Sequence, residues 1–306
     1  MALWTPAEIT TALWIDFSDS ATLFDATTGG SSVADGVGIA RAEDKSGNAR
    51  HFVEVTAGNR PTWRAARQNG IGAAEFDGGD RLSHASLSEF NFMHRNQTTS
   101  FVVVKSGVTA SPVAAYGWFG SNGFSSNNRG VYAAYDNRNV LTGMVNSFNS
   151  LVSNGGGVVS ASTVSELGTS VQTEFRSILQ ANVYQFHSIV LDPQNATAAS
   201  RMKIAVNGGG LVGNSQRIGA SSLSNAAFNM QIGAVGNNLA PLVGDFCELI
   251  FCYGALASDQ IALMQGYLAW KWGIQGNLPV DHPYKNAAPK SGSSSAAAVH
   301  FFAFGF

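Results

Sequence analysis

The sequence contains few charged residues. Asp, Glu, Lys and Arg make up 12% of the 306 residues, whereas an average soluble domain has about 25%. The formal net charge is -2, and the basic residues are interspersed with acidic ones. No basic patch typical of nucleic-acid binding is present, and the apolar runs are too short to span a bilayer as helices. We therefore expect neither a nucleic-acid partner nor a membrane span.

Cysteine is also scarce, with only Cys247 and Cys252 in the chain. On a regular strand, residues five apart point to opposite faces, and they lie roughly 16 Å apart at about 3.3 Å per residue. This separation is too long for a disulfide. The sequence therefore predicts two free thiols on opposite faces of a strand and no metal site built on the pair.

Recognisable catalytic patterns are missing from the sequence. There is no Gly-x-Ser-x-Gly turn for a serine nucleophile, and the six histidines show no zinc-binding spacing. A retaining glycosidase needs two carboxyl groups about 5–5.5 Å apart, but the odd spacing of Asp245 and Glu248 predicts opposite faces of one strand. We therefore expect a protein without enzymatic activity.

Glycine and short apolar segments are abundant. The chain has 34 glycines, which suits many tight turns. Apolar or alternating runs bounded by Gly, Asn, Asp or Ser predict strands and an all-β sandwich. These runs cover residues 12–17, 73–76, 100–105, 114–119, 130–135, 140–145, 184–191, 201–206, 227–232 and 245–253.

One segment, residues 258–273, has the pattern of an amphipathic helix. Ser258 is a suitable N-cap, apolar residues follow at helical spacing, and Gly273 is placed for a C-cap. Residues 287–298 (AAPKSGSSSAAA) predict a flexible linker, and residues 299–306 form an aromatic tail. We therefore divide the chain into a domain at 1–286, a linker and a C-terminal arm.

The first residues (MALWTPAE) lack the basic and apolar regions of a signal peptide. We therefore expect synthesis in the cytoplasm without export. The many Ser, Thr, Asn and Gly residues are nevertheless typical of proteins that work outside cells. A virion protein, assembled inside a host cell and released from it, would satisfy both expectations, and an extracellular location is the alternative.

Three ordered groups of motifs suggest a family. They are residues 13–19 (LWIDFSD) with 44–52 (DKSGNARHF), residues 73–78 (AAEFDG) with 80–82 (DRL), and residues 244–251 (GDFCELIF) with 267–273 (YLAWKWG). Together they resemble the laminin-G-like branch of the concanavalin A-like lectin/glucanase superfamily, over roughly residues 3–286. Residues 278–285 (LPVDHPYK) are similar to versions in tailed-phage structural proteins. The resemblance implies a two-sheet antiparallel jelly-roll sandwich with one short C-terminal helix.

The resemblance leaves three functions open. The first is a non-enzymatic virion structural protein of a tailed phage, serving as a capsid decoration, head fibre or tail adsorption protein. Its partners would be other virion proteins, copies of itself or a host-surface glycan. The alternative is a bacterial surface or secreted carbohydrate-binding module. A glycan hydrolase is the third, because the same fold hosts several functions.

Two candidate ligand sites follow from residue types in turns. Calcium is the one metal considered, because it takes carboxylate and loop oxygens; the candidates are Asp16, Asp19, Asp77 and Asp80. Turn capping is the alternative role for these acids. Exposed aromatics with nearby amides or charges suit sugars, and the candidates are Tyr116, Trp118, Asn122, Asp136 and Arg138. The alternative places the aromatic residues in the core.

The C-terminal tail is a candidate assembly arm. Phe302, Phe304 and Phe306 alternate and so share one face of an extended chain, next to Phe301. We expect the arm to bind a neighbouring subunit as an added strand or aromatic anchor. Folding back onto its own domain is the alternative.

Overall fold

The computed structural model describes residues 2–107, 115–123, 128–136, 147–154, 158–163, 180–197, 200–213 and 224–292. For 115, 136, 147–154 and 158–163 it describes the backbone only. Arg138, residues 293–298 of the predicted linker, and Phe301, Phe302, Phe304 and Phe306 of the predicted arm lie outside these ranges. The predicted strand at 140–145 lies outside them as well.

The described residues contain seventeen strands and two α-helices. The strands are β1 (Thr11–Asp16), β2 (Leu23–Phe24), β3 (Arg41–Ala42), β4 (Phe52–Val53), β5 (Thr62–Gln68), β6 (Ile71–Asp77), β7 (Leu82–His84), β8 (Thr98–Ser106), β9 (Ala115–Gly120), β10 (Arg129–Asp136), β11 (Ser147–Asn154), β12 (Val158–Thr163), β13 (Gln185–Leu191), β14 (Met202–Val206), β15 (Val212–Gly213), β16 (Met230–Ile232) and β17 (Val243–Tyr253). The helices are α1 (Phe92–Arg95) and α2 (Ser258–Lys271), and short 3₁₀ turns lie at Pro6–Glu8, Ser20–Thr22, Ala57–Asn59 and Gln275–Asn277.

The strands form two antiparallel sheets. The first sheet has eight strands in the order β15-β14-β13-β8-β17-β6-β5, with β1 also paired to β17. The second sheet has nine strands in the order β12-β11-β10-β9-β16-β7-β4-β3-β2. Nine of the ten predicted strands are present within a few residues of their expected ends, and the two-sheet antiparallel sandwich is confirmed.

Two hydrophobic clusters lie on the two faces of the first sheet. Successive residues of a strand point to opposite faces, so the apolar run of β8 divides between the clusters. Val102 and Val104 face the second sheet. Phe101 and Val103 face helix α2, which packs on the outer face. The protein therefore has three layers, with the first sheet buried in the middle.

Helix α2 confirms the predicted segment with one correction at its start. Ser258 is the first helical residue and Ala257 is the N-cap. The Ala257 N–H donates to Gln260 Oε1 over 3.2 Å. At the other end Gly273 has φ +65, and the Ile274 N–H donates to the Ala269 carbonyl over 2.8 Å, which is a Schellman C-cap.

A β-bulge in β17 corrects the predicted faces of four residues. Phe246 pairs with Val104 and Glu248 pairs with Val103, so Cys247 is an additional residue. A bulge of this kind shifts the alternation by one position. Both cysteines are free, as predicted, but they lie in the same cluster under α2. Likewise, Asp245 and Glu248 lie on the same outer face of the sheet.

The first part of the predicted linker belongs to the folded domain. Leu3 and Lys290 form an antiparallel bridge, and the Trp4 N–H donates to the Pro289 carbonyl over 3.0 Å. The Gly292 N–H donates to Glu8 Oε2 over 2.9 Å. The chain therefore remains attached to its N-terminal segment as far as Gly292, beyond the predicted boundary at 286.

Candidate functional site

The structure corrects the sugar site predicted around β9. Tyr116, Trp118 and Asn122 are only 2%, 1% and 0% exposed. The Trp118 indole N–H donates to Ser106 Oγ over 2.8 Å, and its ring centroid lies 4.3 Å from that of His187. Strand β9 lies between β10 and β16 in the second sheet. Its aromatic side chains therefore fill the core and offer no platform to a sugar.

The predicted calcium ligands Asp16 and Asp19 bind lysines. Lys45 Nζ lies 3.0 Å from Asp16 Oδ2 and 2.7 Å from Asp19 Oδ2, and Lys271 Nζ lies 2.7 Å from Asp16 Oδ1. Burial alone would raise the pKa of Asp16, but the two ammonium groups lower it to about 2. This pair does not fit a calcium site because ammonium groups already neutralise it.

The other predicted calcium ligands, Asp77 and Asp80, cap one turn. The Asp77 N–H donates to Asp80 Oδ2 over 3.0 Å, and the Gly79 N–H donates to Asp77 Oδ1 over 2.8 Å. In the part of the chain that the structure describes, no three His, Cys, Asp or Glu side chains are grouped to hold a metal ion. Turn capping is therefore the role that the geometry gives to this pair.

We expect Asp80→Asn to stabilise the protein at neutral and alkaline pH. Burial raises the pKa of Asp80 from 3.8 to about 7. Because its pKa is raised, protonated Asp80 contributes to the stability of the folded protein. This contribution is fully present below pH 3.8 and is lost as the pH rises through about 7. Asparagine keeps the acceptor for the Asp77 N–H but cannot ionise. Between pH 4 and pH 8 the variant should gain a few kcal/mol over the wild type, at about 1.4 kcal/mol per pKa unit.

Urea unfolding at a series of pH values measures this difference. Asp35→Asn is the control, because it replaces an exposed carboxylate by the same amide. If the free energy of unfolding varied with pH in the same way for the wild type and Asp80→Asn, the pKa of Asp80 would not be raised and the prediction would be wrong.

An open cleft lies at one end of the first sheet. Strand β8 begins there, and its neighbours β13 and β17 end there, because Thr98 pairs with both Leu191 and Tyr253. The cleft has a volume of about 600 Å³, within the range of small-ligand sites. Its lining includes Phe92, Arg95, Gln97, Asp192, Asn195 and Tyr253.

The aromatic wall of the cleft consists of Tyr253 and Phe92. Tyr253 is 43% exposed and is the one largely exposed aromatic residue in the described part of the chain. Its ring centroid lies 4.9 Å from that of Phe92, at an interplanar angle of 53°. Tyr253 is the last residue of β17, and Phe92 is the first residue of α1. The ends of two elements thus place an apolar ring surface at the cleft.

The polar side of the cleft is built around Asp192. Gln97 Nε2 donates to Asp192 Oδ2 over 2.9 Å, and Asn195 Nδ2 donates to the same oxygen over 2.7 Å. The Asn195 N–H donates to the Asp192 carbonyl over 3.0 Å, which closes a turn directly after β13. The cleft therefore combines one carboxylate and several amides with an exposed aromatic ring.

None of these cleft residues was among the candidates from the sequence. A usable signal was present, because Asn96 and Gln97 lie a few residues before the strand predicted at 100–105, and residues 192–195 (DPQN) directly follow the strand predicted at 184–191. The missing information was that these two strands and the strand ending at Tyr253 are neighbours in one sheet.

Comparisons with known proteins give weak structural similarities only. No protein-family model matches the chain, and no curated protein matches it. The carbohydrate-binding module CBM40 of the Ruminococcus gnavus IT-sialidase, bound to α2,3-sialyllactose, is 13% identical, with 61% of this chain and 93% of that chain covered and a TM-score of 0.43. Domain 4 of a GH43 extracellular arabinanase from Geobacillus stearothermophilus, in complex with arabinotriose, is 14% identical over 82% of this chain and 96% of that chain, with a TM-score of 0.48.

A third similar structure, Trypanosoma rangeli sialidase, is 10% identical over 85% of this chain and 32% of that chain, with a TM-score of 0.48. These values assign no family, and the laminin-G-like family of tailed-phage proteins stays a prediction. Within the described residues, no helix is long and apolar enough to cross a membrane.

Proposed function

We propose that this chain is a non-catalytic carbohydrate-binding module that takes a glycan in the cleft at Tyr253. The observation that carries the proposal is the exposed Tyr253 ring beside the hydrogen-bonded group around Asp192. A sugar ring has an apolar C–H face, which packs on an aromatic ring, and hydroxyl groups, which exchange hydrogen bonds with carboxylates and amides. The cleft offers both kinds of surface side by side.

The charges of the cleft favour an uncharged glycan. Its described lining contains one cation, Arg95, and one anion, Asp192, so the formal charges cancel. Arg95 also donates from Nη2 to the Ser224 carbonyl over 2.8 Å. Amides and the Tyr253 hydroxyl supply the remaining polar side-chain groups in the described lining. Neutral hexoses and pentoses fit this balance better than sugars carrying carboxylates or amines.

Binding without cleavage is supported by the carboxylates. Asp192 is the single carboxylate in the described lining of the cleft, whereas most glycoside hydrolases use two. The pair that the bulge brings to one face, Asp245 and Glu248, is buried under other side chains. Asp245 contacts Arg67 and Lys105. This arrangement supports a module that holds a glycan and leaves it intact.

The role in a tailed-phage particle stays a prediction. A glycan-binding cleft would serve a virion protein that attaches to a host surface and equally a secreted bacterial module. Antibody labelling of purified particles in the electron microscope would distinguish the two locations.

Isothermal titration against neutral and acidic oligosaccharides tests the proposal. We expect saturable binding of a neutral glycan without release of reducing ends. Asp192→Ala should weaken this binding at least about tenfold, because a hydrogen bond to a charged group contributes about 1.5–3 kcal/mol. Asp281→Ala, at an exposed position that does not line the cleft, is the control and should bind as the wild type does. Absence of saturable binding across the panel would contradict the proposal.

A further inference from the structure

Arg50 lies behind the aromatic wall of the cleft without lining it. Its Nη1 donates to the Tyr253 hydroxyl over 2.9 Å and to the Ala12 carbonyl over 2.5 Å. Its Nε donates to Glu89 Oε2 over 3.2 Å. The Arg50 side chain is 14% exposed, so the guanidinium is held between the end of β17, the start of β1 and the loop before α1.

The same guanidinium contacts both rings of the wall. Its central carbon lies 5.8 Å from the Tyr253 ring centroid and 5.5 Å from that of Phe92. These distances fall within the range of cation–π attraction. Arg50 therefore contacts Tyr253 through a hydrogen bond to the hydroxyl, with the guanidinium carbon within cation–π distance of the ring.

We infer that Arg50 is the positioning residue of the glycan site and holds the Tyr253 ring in its binding orientation before the sugar arrives. This inference rests on the proposed function. Tyr253 ends its strand, and the next residue, Gly254, has φ +77, so the backbone turns away directly after the tyrosine. An exposed ring at a strand end would otherwise sample several rotamers, and fixing it on binding would weaken affinity. Arg50 removes that cost because the free protein already holds the ring.

A lysine at position 50 could replace part of this set of contacts. Arg50 Nη1 alone donates to both the Ala12 carbonyl and the Tyr253 hydroxyl, and a lysine ammonium has enough N–H groups for both. The ammonium is, however, a compact, strongly hydrated point charge on a flexible stem, without the rigid plane of the guanidinium. We therefore expect the Kd of Arg50→Lys to lie between those of the wild type and Arg50→Met.

The test is a double-mutant cycle on glycan affinity. Arg50→Met and Tyr253→Phe should each raise Kd about three- to tenfold. The Kd of the double variant should be no higher than that of the weaker-binding single variant, because both substitutions remove the same contact. A merely structural role of Arg50 would lower the melting temperature without producing this non-additivity. Glu89→Gln is the matched control, since it removes the ion pair of Arg50 but keeps the contact with Tyr253, and its Kd should be unchanged.

The outcomes separate this inference from the proposed function. If the wild type binds no glycan, the proposed function fails and the inference fails with it. If the wild type binds a glycan and Tyr253→Ala does not, the proposed function stands. If Arg50→Met and Tyr253→Phe then bind with the wild-type Kd, the positioning role of Arg50 is wrong. Should Arg50→Met fail to fold, Tyr253→Phe decides by itself, because it keeps the ring and removes only the hydroxyl. Wild-type affinity of that variant would overturn the inference.

Discussion

Replacement of Glu248 by glutamine is expected to lower the free energy of unfolding by about 3–5 kcal/mol, the usual cost of removing one partner from a buried ion pair. Glu248 is 1% exposed and lies between the first sheet and helix α2. Among the described residues, every side chain hydrogen-bonded to its carboxylate is a donor. A glutamine of the same shape would supply one acceptor oxygen and would point its amide N–H groups at donors.

The donors come from β1 and from helix α2 with its C-cap Trp272. Glu248 Oε1 accepts from the Trp14 indole N–H over 2.7 Å and from the Tyr267 hydroxyl over 2.9 Å. Glu248 Oε2 accepts from Lys271 Nζ and from the Trp272 indole N–H, each over 2.9 Å. The carboxylate thus ties β1 and β17 to the end of α2.

Lys271 extends this network to Asp16. Burial alone would lower the pKa of Lys271, but the carboxylates of Glu248 and Asp16 raise it. The lysine therefore remains charged. Without the Glu248 charge, this buried ammonium group would keep only one of its two carboxylate partners, Asp16. Asp16, with its pKa lowered from 3.8 to about 2, adds stability above pH 3.8 that is lost as the pH falls through about 2.

Urea unfolding monitored by circular dichroism measures the effect of Glu248→Gln. Glu43→Gln is the control, because Glu43, with a side chain 35% exposed, pairs with Arg41 over 3.1 Å near the surface. Such a pair contributes about 0–1 kcal/mol. A loss at Glu248 as small as that of the control would show that the network does not hold α2 to the sheet.

Tyr253→Ala should reduce glycan affinity about 30-fold, which corresponds to about 2 kcal/mol for loss of an aromatic hot-spot residue. The substitution removes the exposed half of the aromatic wall and leaves Phe92 without its neighbour at 4.9 Å. The melting temperature should change little because Tyr253 is 43% exposed.

Titration of the same neutral glycan into the variant measures this loss. Val280→Ala is a suitable control, since it also removes an exposed apolar side chain, 89% exposed, but one that does not line the cleft. An unchanged Kd for Tyr253→Ala together with saturable wild-type binding would place the glycan elsewhere on the protein.

Local patterns in the sequence determined the secondary structure and the fold class. The short apolar run of residues 100–105 (SFVVVK) predicted β8 (Thr98–Ser106) because valine and phenylalanine favour strands and the run is too short for a typical helix. Residues 258–273 predicted α2, and Gly273 marked its end through the left-handed conformation that glycine adopts readily. Each of these signals lies within one short segment. The absence of a disulfide was predicted correctly as well, although the reasoning assumed a regular strand.

The tertiary structure alone decided the bulge, the buried network and the cleft. The additional residue Cys247 is visible only when β17 is aligned with β8, whose residues are over 130 positions away in the chain. The sequence left open whether Trp118 is an exposed platform or a core residue, because its exposure depends on the neighbouring strands β10 and β16. The cleft forms where three neighbouring antiparallel strands, β13, β8 and β17, have their ends at the same end of the sheet, which brings together Gln97, Asp192 and Tyr253. That strand order follows from the packing of the whole domain and not from any local pattern.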